Sequence, residues 1–80
     1  MDEHLLSNLH RLHTTPLGEE RIRRNLEMPN GDIVSLCKTI FLDDNNIIER
    51  RGKNWYVTYG RSIWTVNASS FTIITAHRTK

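Results

Sequence analysis

Four short runs of β-forming residues follow one another in residues 47–77, IIERRGKNWYVTYGRSIWTVNASSFTIITAH. Each run is rich in β-branched or aromatic residues, and the runs cover residues 47–51, 55–59, 62–67 and 71–77. The pairs between them, Gly52-Lys53, Gly60-Arg61 and Ala68-Ser69, are short enough to form hairpins. The stretch therefore predicts a four-stranded antiparallel meander with its strands in sequence order.

Residues ahead of this stretch have the spacing of amphipathic helices instead. Leucines recur every three or four residues from Leu5 to Leu12, which predicts a first helix over about residues 3–12. Thr15-Pro16 has the pattern of an N-cap followed by proline in the first turn, and Asp32 is a further N-cap candidate. A second and a third helix are expected to begin after these caps.

Helices followed by a run of strands are typical of the α+β class. The expected fold is three N-terminal helices packed on a C-terminal four-stranded antiparallel meander sheet. The 80 residues are expected to form a single domain, 1–80, with the helices over about 3–42 and the sheet over about 46–78.

The fourth run differs from the others because it is apolar on both faces. Strict alternation places Phe71, Ile73, Thr75 and His77 on one face and Thr72, Ile74 and Ala76 on the other. In a meander this run forms an edge strand, and an exposed apolar edge pairs readily with another chain. We expect either that the N-terminal helices cover it or that a protein partner, such as a second copy in a homodimer, pairs with the Phe71 to Ala76 strand.

The charges are distributed unevenly along the chain. Nine acids and five bases lie at or before Glu49, whereas six bases and no acid lie from Arg50 onward, together with five of the six aromatic residues. Such asymmetry points to a polyanionic partner, here RNA or single-stranded nucleic acid. The alternative is that the aromatic residues simply form strands and the bases keep the sheet soluble.

Other features limit the compartment and the chemistry. The lone cysteine, Cys37, forms no internal disulfide, and the acidic N-terminus lacks the apolar segment of a signal peptide. No apolar run approaches the roughly 20 residues of a membrane span. We therefore expect a cytoplasmic protein without a membrane partner. The chain has no glycine-rich phosphate loop or recognisable metal-ligand set, so no cofactor and no metal are expected.

The predicted hairpins bring candidate nucleic-acid-binding residues to two rims of the sheet. Arg50, Arg51 and Lys53 are expected at one rim with Asn67, and Arg61 is expected at the other. Arg61 would then lie near Thr75 and His77 at the end of the fourth strand. Arginine and histidine are suited to phosphate binding and proton transfer, although charges in turns often serve only solvation.

Three segments resemble the signature of a small bacterial family of unknown function. They are LHTTPLGEERIRRNL at residues 12–26, GKNWYV at 52–57 and TVNASSFTIITAH at 65–77. Helices followed by a sheet that ends in TVN…IITAH are also similar to the barnase–EndoU–colicin–RelE group of ribonuclease toxins. That resemblance implies metal-independent RNA cleavage, with His77, Thr75 and Arg21 as candidate catalytic residues and His13 as a second acid or base.

The leading hypothesis from the sequence is an RNA-directed protein, in its fullest form a toxin-like endoribonuclease that acts by metal-independent transesterification. One alternative is a non-catalytic module or inhibitor that binds a protein partner through the apolar fourth strand. Another is a nucleic-acid binder without chemistry.

Overall fold

The computed structural model describes residues 3–28 and 31–79. Its helical elements are α1 (Glu3–Leu6), a 3₁₀ turn (Leu9–Arg11), α2 (Pro16–Leu26) and α3 (Ile33–Leu42). Its strands are β1 (Ile47–Arg51), β2 (Asn54–Tyr59), β3 (Ser62–Asn67) and β4 (Ile73–Arg78). The strands form one antiparallel sheet in the order β1-β2-β3-β4.

The prediction of three N-terminal helices is wrong. The first helix, expected over about residues 3–12, is a four-residue helix followed by a separate 3₁₀ turn. The side chain of Asn8 donates a hydrogen bond to His4 O at 2.8 Å, and Leu12 is already extended. Helices this short have little stability of their own, so tertiary packing decides their conformation.

The two longer helices begin where local capping chemistry places them. Thr15 Oγ1 accepts a hydrogen bond of 3.0 Å from the Gly18 amide, and Pro16 follows in the first turn of α2. Asp32 Oδ1 accepts from the amides of Val34 and Ser35 at the start of α3. The hydrogen bond from Ser35, reinforced by that from Val34, lowers the pKa of the Asp32 carboxyl below its usual value.

The helices pack on one face of the sheet and bury a single apolar core. Trp55 and Val57 of β2 and Trp64 and Val66 of β3 are fully buried there. The helical segments add Leu5, Leu12, Ile22, Leu26, Ile33, Cys37, Ile40 and Phe41. Burial of this face is the main contribution to the stability of so small a protein.

A β-bulge interrupts the pairing of β3 with β4. Thr65 pairs with Thr75 and Val66 pairs with Ile73, so Ile74 is one residue too many for the ladder. The sequence shows no sign of it, because two adjacent isoleucines are equally suited to either face.

The bulge changes which side chains share a face of β4. Ile73 and Ala76 are both buried against the helices, although strict alternation places them on opposite faces. The prediction that Ile73 and Thr75 share a face is therefore wrong. Thr75 and His77 do share a face, and it is the one that points away from the helices.

The protein's own chain covers the outer edge of β4. His13 forms a parallel bridge with Thr72, in which the Ile73 amide donates to His13 O at 2.7 Å. Thr14 Oγ1 donates to Ile73 O at 3.2 Å, and the Asn25 side chain of α2 donates to Ala76 O at 3.1 Å. Of the two expected outcomes for this strand, the structure has cover by the N-terminal segment.

Glycine 18 allows α2 to approach this edge closely. A Cβ atom at Gly18 would lie 2.9 Å from Thr14 Oγ1, a separation that real Cβ atoms essentially never show, and 3.0 Å from Thr15 Oγ1, which is tighter than most real Cβ contacts. A larger residue would therefore displace either the cap of α2 or the tether between Thr14 and Ile73.

Candidate nucleic-acid interface

The face of the sheet that points away from the helices is solvent-accessible, and we call it the open face. The strand register arranges its side chains in three rows: Arg51, Asn54 and Asn67; Glu49, Tyr56, Thr65 and Thr75; and Ile47, Thr58, Ile63 and His77. Of these residues only Thr65 is buried. The face therefore presents mainly hydroxyl, amide, aromatic and charged groups to solvent.

An arginine and a tyrosine stack at the β1 side of the open face. The Arg51 guanidinium lies 4.4 Å from the centre of the Tyr56 ring, within cation–π range. Arg51 Nε also lies 3.2 Å from Glu49 Oε1, and both side chains are more than 60% exposed. This surface ion pair adds little stability.

We call the end of the sheet formed by residues 52–53 and 68–72 the basic end. The Ala68 amide donates to Lys53 O at 2.8 Å and joins the two connections. Two further guanidinium groups lie over aromatic rings here: Arg11 is 4.3 Å from the Phe71 ring centre, and Arg50 is 5.5 Å from that of Trp55. Bases from both halves of the sequence therefore meet at one end of the fold.

Carboxylates neutralise only some of the basic side chains of the protein. Within residues 3–28 and 31–79, ion pairs to carboxylates engage Arg23, Arg24, Arg51 and Arg78. Arg11, Arg50 and Lys53 take no part in these pairs. Cations without a carboxylate neighbour attract a polyanion most effectively.

The structure brings four of the five predicted nucleic-acid-binding residues together. Arg50, Arg51, Lys53 and Asn67 all lie at or beside the basic end. Arg61 lies at the other end of the sheet, in the β2–β3 turn, where its carbonyl accepts from the Thr79 amide at 2.7 Å. There Arg61 lines a groove of about 520 Å³ between α2, α3 and the sheet.

The predicted catalytic residues do not converge in one place. Thr75 and His77 share the open face, and His77 is exposed opposite Ile63. His13 instead bridges Thr72, before the start of β4. At about 3.3 Å per residue, His13 and His77 are separated by roughly 16 Å along the strand direction.

The fourth predicted catalytic residue, Arg21, lies on α2. It is exposed beside Leu17, Glu20 and Arg24 around a shallow depression on the outer side of the helix. It precedes Asn25 by one helical turn, and it is Asn25 that bonds to the β4 edge. The helix is thus tied to the sheet by the amide rather than by the guanidinium.

Sequence reasoning missed a chain of polar side chains at the basic end. His13 Nε2 lies 3.0 Å from Thr72 Oγ1, which lies 2.7 Å from Ser70 Oγ, which in turn lies 3.2 Å from Asn67 Oδ1. The four residues are exposed or half-buried. No spacing in the sequence predicts this contact, because His13 and Thr72 are far apart along the chain.

Other potential sites lack the required chemistry. Burial strongly raises the pKa of the Cys37 thiol, which disfavours the nucleophilic thiolate. In the described part of the chain, no group of three His, Cys, Asp or Glu residues is arranged to hold a metal ion. Across the same residues, none of the helices has the length and apolar character to cross a bilayer.

Comparison with known proteins identifies the family. A search of curated proteins and a search of solved structures find no significant match. The profile of DUF3781, a family described as "protein of unknown function", matches residues 6–77. This match confirms the predicted membership of a family of unknown function and does not support the resemblance to ribonuclease toxins. The chain belongs to the DUF3781 family.

Proposed function

We propose that this protein binds single-stranded nucleic acid across the open face and the basic end. The observation that carries the proposal is the Arg51 guanidinium stacked 4.4 Å over Tyr56 on the solvent-facing side of the sheet. Proteins that bind single strands combine a cationic surface with aromatic rings or arginine planes on which bases stack. Lys53, in the adjacent turn between β1 and β2, supplies phosphate-binding charge beside this stack. Arg50 lies on the helix side of the sheet, over the Trp55 ring.

One residue of the open face, Glu49, opposes the binding of nucleic acid and therefore provides a further test of the proposal. Glu49 lies beside Arg51 in the ion pair of 3.2 Å, and its carboxylate repels an approaching phosphate. A binder that uses this face should therefore gain affinity when the acid is removed. Substitution of Glu49 should then raise the affinity for nucleic acid, whereas substitution of Arg51 should lower it. A general change in protein stability does not produce opposite changes in affinity.

The experiment is a titration of fluorescent single-stranded oligonucleotides at several salt concentrations. We expect Arg51→Gln and Lys53→Gln each to weaken binding and to reduce the log–log salt slope by about 0.7. Tyr56→Leu should cost roughly 1–3 kcal/mol of binding free energy through lost stacking. Glu49→Gln should strengthen binding.

The matched control is Arg24→Gln, which removes the same charge from an exposed ion pair on α2. It should change affinity far less than Arg51→Gln. Equal effects of the two arginine substitutions would indicate non-specific attraction, and absence of binding at low salt would refute the proposal.

The placement of Thr75 and His77 on one face supports a second candidate function, metal-independent RNA cleavage. Histidine is suited to proton transfer near neutral pH, and general acid–base catalysis contributes about 10²- to 10⁴-fold in rate. The same RNA samples, analysed for product with and without chelator, test it. His77→Ala should lower cleavage by that order, whereas His10→Ala in the exposed 3₁₀ turn should not. If the unsubstituted protein leaves RNA intact across pH 5–9, the cleavage hypothesis is refuted and only the binding proposal remains.

A further inference from the structure

The side-chain network at the basic end extends the first row of the open face. Asn67 belongs to that row, opposite Asn54 and in line with Arg51. From Asn67 the contacts continue through Ser70 and Thr72 to His13, over distances of 3.2, 2.7 and 3.0 Å. We call Ser70, Thr72 and His13 the hydroxyl chain.

The backbone holds the hydroxyl chain in place from both sides. His13 Nδ1 lies 2.9 Å from Arg11 O, and the bridge to Thr72 fixes the main chain of His13. At the other end, Asn67 Oδ1 accepts hydrogen bonds of 2.9 Å from the amides of Ser69 and Ser70. The groups are therefore positioned before any ligand arrives.

A residue with a strained backbone conformation, Phe71, directs Thr72 of the hydroxyl chain toward His13. Phe71 has φ of +60°, a left-handed conformation that is unusual for a bulky residue. This turn sends the Phe71 ring into the core, where it is 1% exposed, while the next residue reaches His13. Strain of this kind persists where the surrounding structure holds it, and it is concentrated at functional sites.

The hydroxyl chain can both donate and accept. When the Nδ1–H of His13 donates to Arg11 O, its Nε2 accepts the proton of Thr72 Oγ1. The single proton of Ser70 Oγ can then go either to Thr72 Oγ1 or to Asn67 Oδ1. Rotation of the hydroxyl groups offers a ligand either role. A ribose 2′-hydroxyl is itself both a donor and an acceptor, and it is the group that distinguishes RNA from DNA.

Cations lie near both ends of the hydroxyl chain. Arg11 holds His13 through its carbonyl, and its guanidinium lies over the Phe71 ring. Arg51 belongs to the same row as Asn67, and Lys53 lies in the turn between β1 and β2, where its carbonyl accepts from the Ala68 amide. We expect a strand whose phosphates contact these cations to carry a sugar near the hydroxyl chain.

From these contacts we infer that the hydroxyl chain recognises a ribose 2′-hydroxyl and makes the protein selective for RNA over DNA. The inference rests on the proposed binding of single-stranded nucleic acid. It names the substrate class of that surface and the residues, Thr72 above all, that determine it.

The test compares oligouridine with oligodeoxyuridine of equal length at one salt concentration. The unsubstituted protein should bind the RNA about 2- to 10-fold more tightly, as expected for one neutral hydrogen bond. Thr72→Val keeps the shape but removes the hydroxyl, so it should abolish the preference and leave DNA affinity unchanged. Thr72→Ser should retain the preference. The control is Thr39→Val, which removes an exposed hydroxyl from α3, on the opposite side of the sheet from the open face, and should leave the preference for RNA unchanged.

The possible outcomes distinguish failure of this inference from failure of the proposed function on which it rests. Equal binding of RNA and DNA by the unsubstituted protein would overturn the inference while nucleic-acid binding stands. Binding of neither oligonucleotide would refute the proposed function itself. If Thr72→Val lowers the melting temperature but leaves the preference for RNA over DNA intact, the hydroxyl chain serves only to hold the N-terminal segment against the sheet, and the inference fails.

Discussion

Two residues before the middle of β4, Phe71 and Ile74, have backbone positions that their sequence neighbours do not predict. Ile74 forms the bulge that turns Thr75 and His77 to the open face, and Phe71 adopts a left-handed conformation beside it. Both are ordinary β-forming residues by type. Their conformations follow from the pairing of β4 with β3 on one side and with His13 on the other, which residue identity alone does not reveal.

Glu27 is a second left-handed residue, at the end of α2. Its φ is 56°, and the amide of Met28 donates to Arg23 O at 2.9 Å, in the arrangement that usually contains glycine. We expect Glu27→Gly to raise the free energy of unfolding by about 0.5–1 kcal/mol, since glycine adopts this conformation without strain. Thermal or urea denaturation measures it.

The matched control is Glu20→Gly, the same substitution inside α2. It should lower the free energy of unfolding by about 1 kcal/mol, because glycine is unfavourable in a helix interior. The contact of Glu27 with Arg78 that is lost in the first variant is 3.4 Å long and solvent-exposed, so it contributes little. Destabilisation by both variants would contradict the strain assigned to Glu27.

At the scale of the elements, α2 and β4 form the unit that closes the sheet. Helix α2 runs beside β4, with Gly18 near Ile73 at one end and Asn25 bonded to Ala76 at the other. This packing protects an edge that the sequence alone leaves exposed. It also explains why the segment before α2 is extended, since His13 must reach β4.

Removal of the Asn25 tether tests this unit. Asn25→Ala takes away the donor to Ala76 O, and we expect the free energy of unfolding to fall by about 0.5–1.5 kcal/mol. Hydrogen exchange of the β4 amides should accelerate more than that of β2, because the edge opens first. Arg24→Ala, one residue away on the exposed side of α2, should leave β4 exchange unchanged; a similar acceleration there would show that the tether is not responsible.

For the whole molecule, the two edges of the sheet differ in a way that bears on self-association. The β4 edge is covered, whereas β1 carries Glu49, Arg50 and Arg51 and is largely exposed. Charged side chains on an open edge oppose pairing between sheets. Pairing of a partner with the strand from Phe71 to Ala76 requires displacement of the His13 bridge and the Asn25 tether.

We therefore expect the protein to be a monomer at micromolar concentration. Light scattering coupled to size exclusion gives the mass directly. A dimer that persists in Asn25→Ala and in a variant with altered β1 charges would show that another surface associates. A dimer that dissociates only when β1 is altered would show that its charges do not protect that edge.

The sequence by itself determined the features that depend on neighbouring residues. Runs of β-branched residues separated by short turns place the observed strands within two residues of their predicted bounds, and Thr15 and Asp32 begin α2 and α3. It also determined that Arg50 and Arg51 precede one hairpin turn and that Lys53 lies in it, because the three residues are close together in the chain. Such signals are local, and no distant contact is needed to form them.

Only the tertiary structure decided the features that depend on distant pairing. The bulge at Ile74, the extended path of His13 and the meeting of Arg11 with the basic end each require a partner more than 50 residues away or a register between strands. Local spacing favours a helix near Leu9 and strict alternation in β4. Closing the β4 edge and burying Ile73 with Ala76 outweighs both preferences, because buried apolar area and paired backbone groups contribute more than the weak propensity of a short segment.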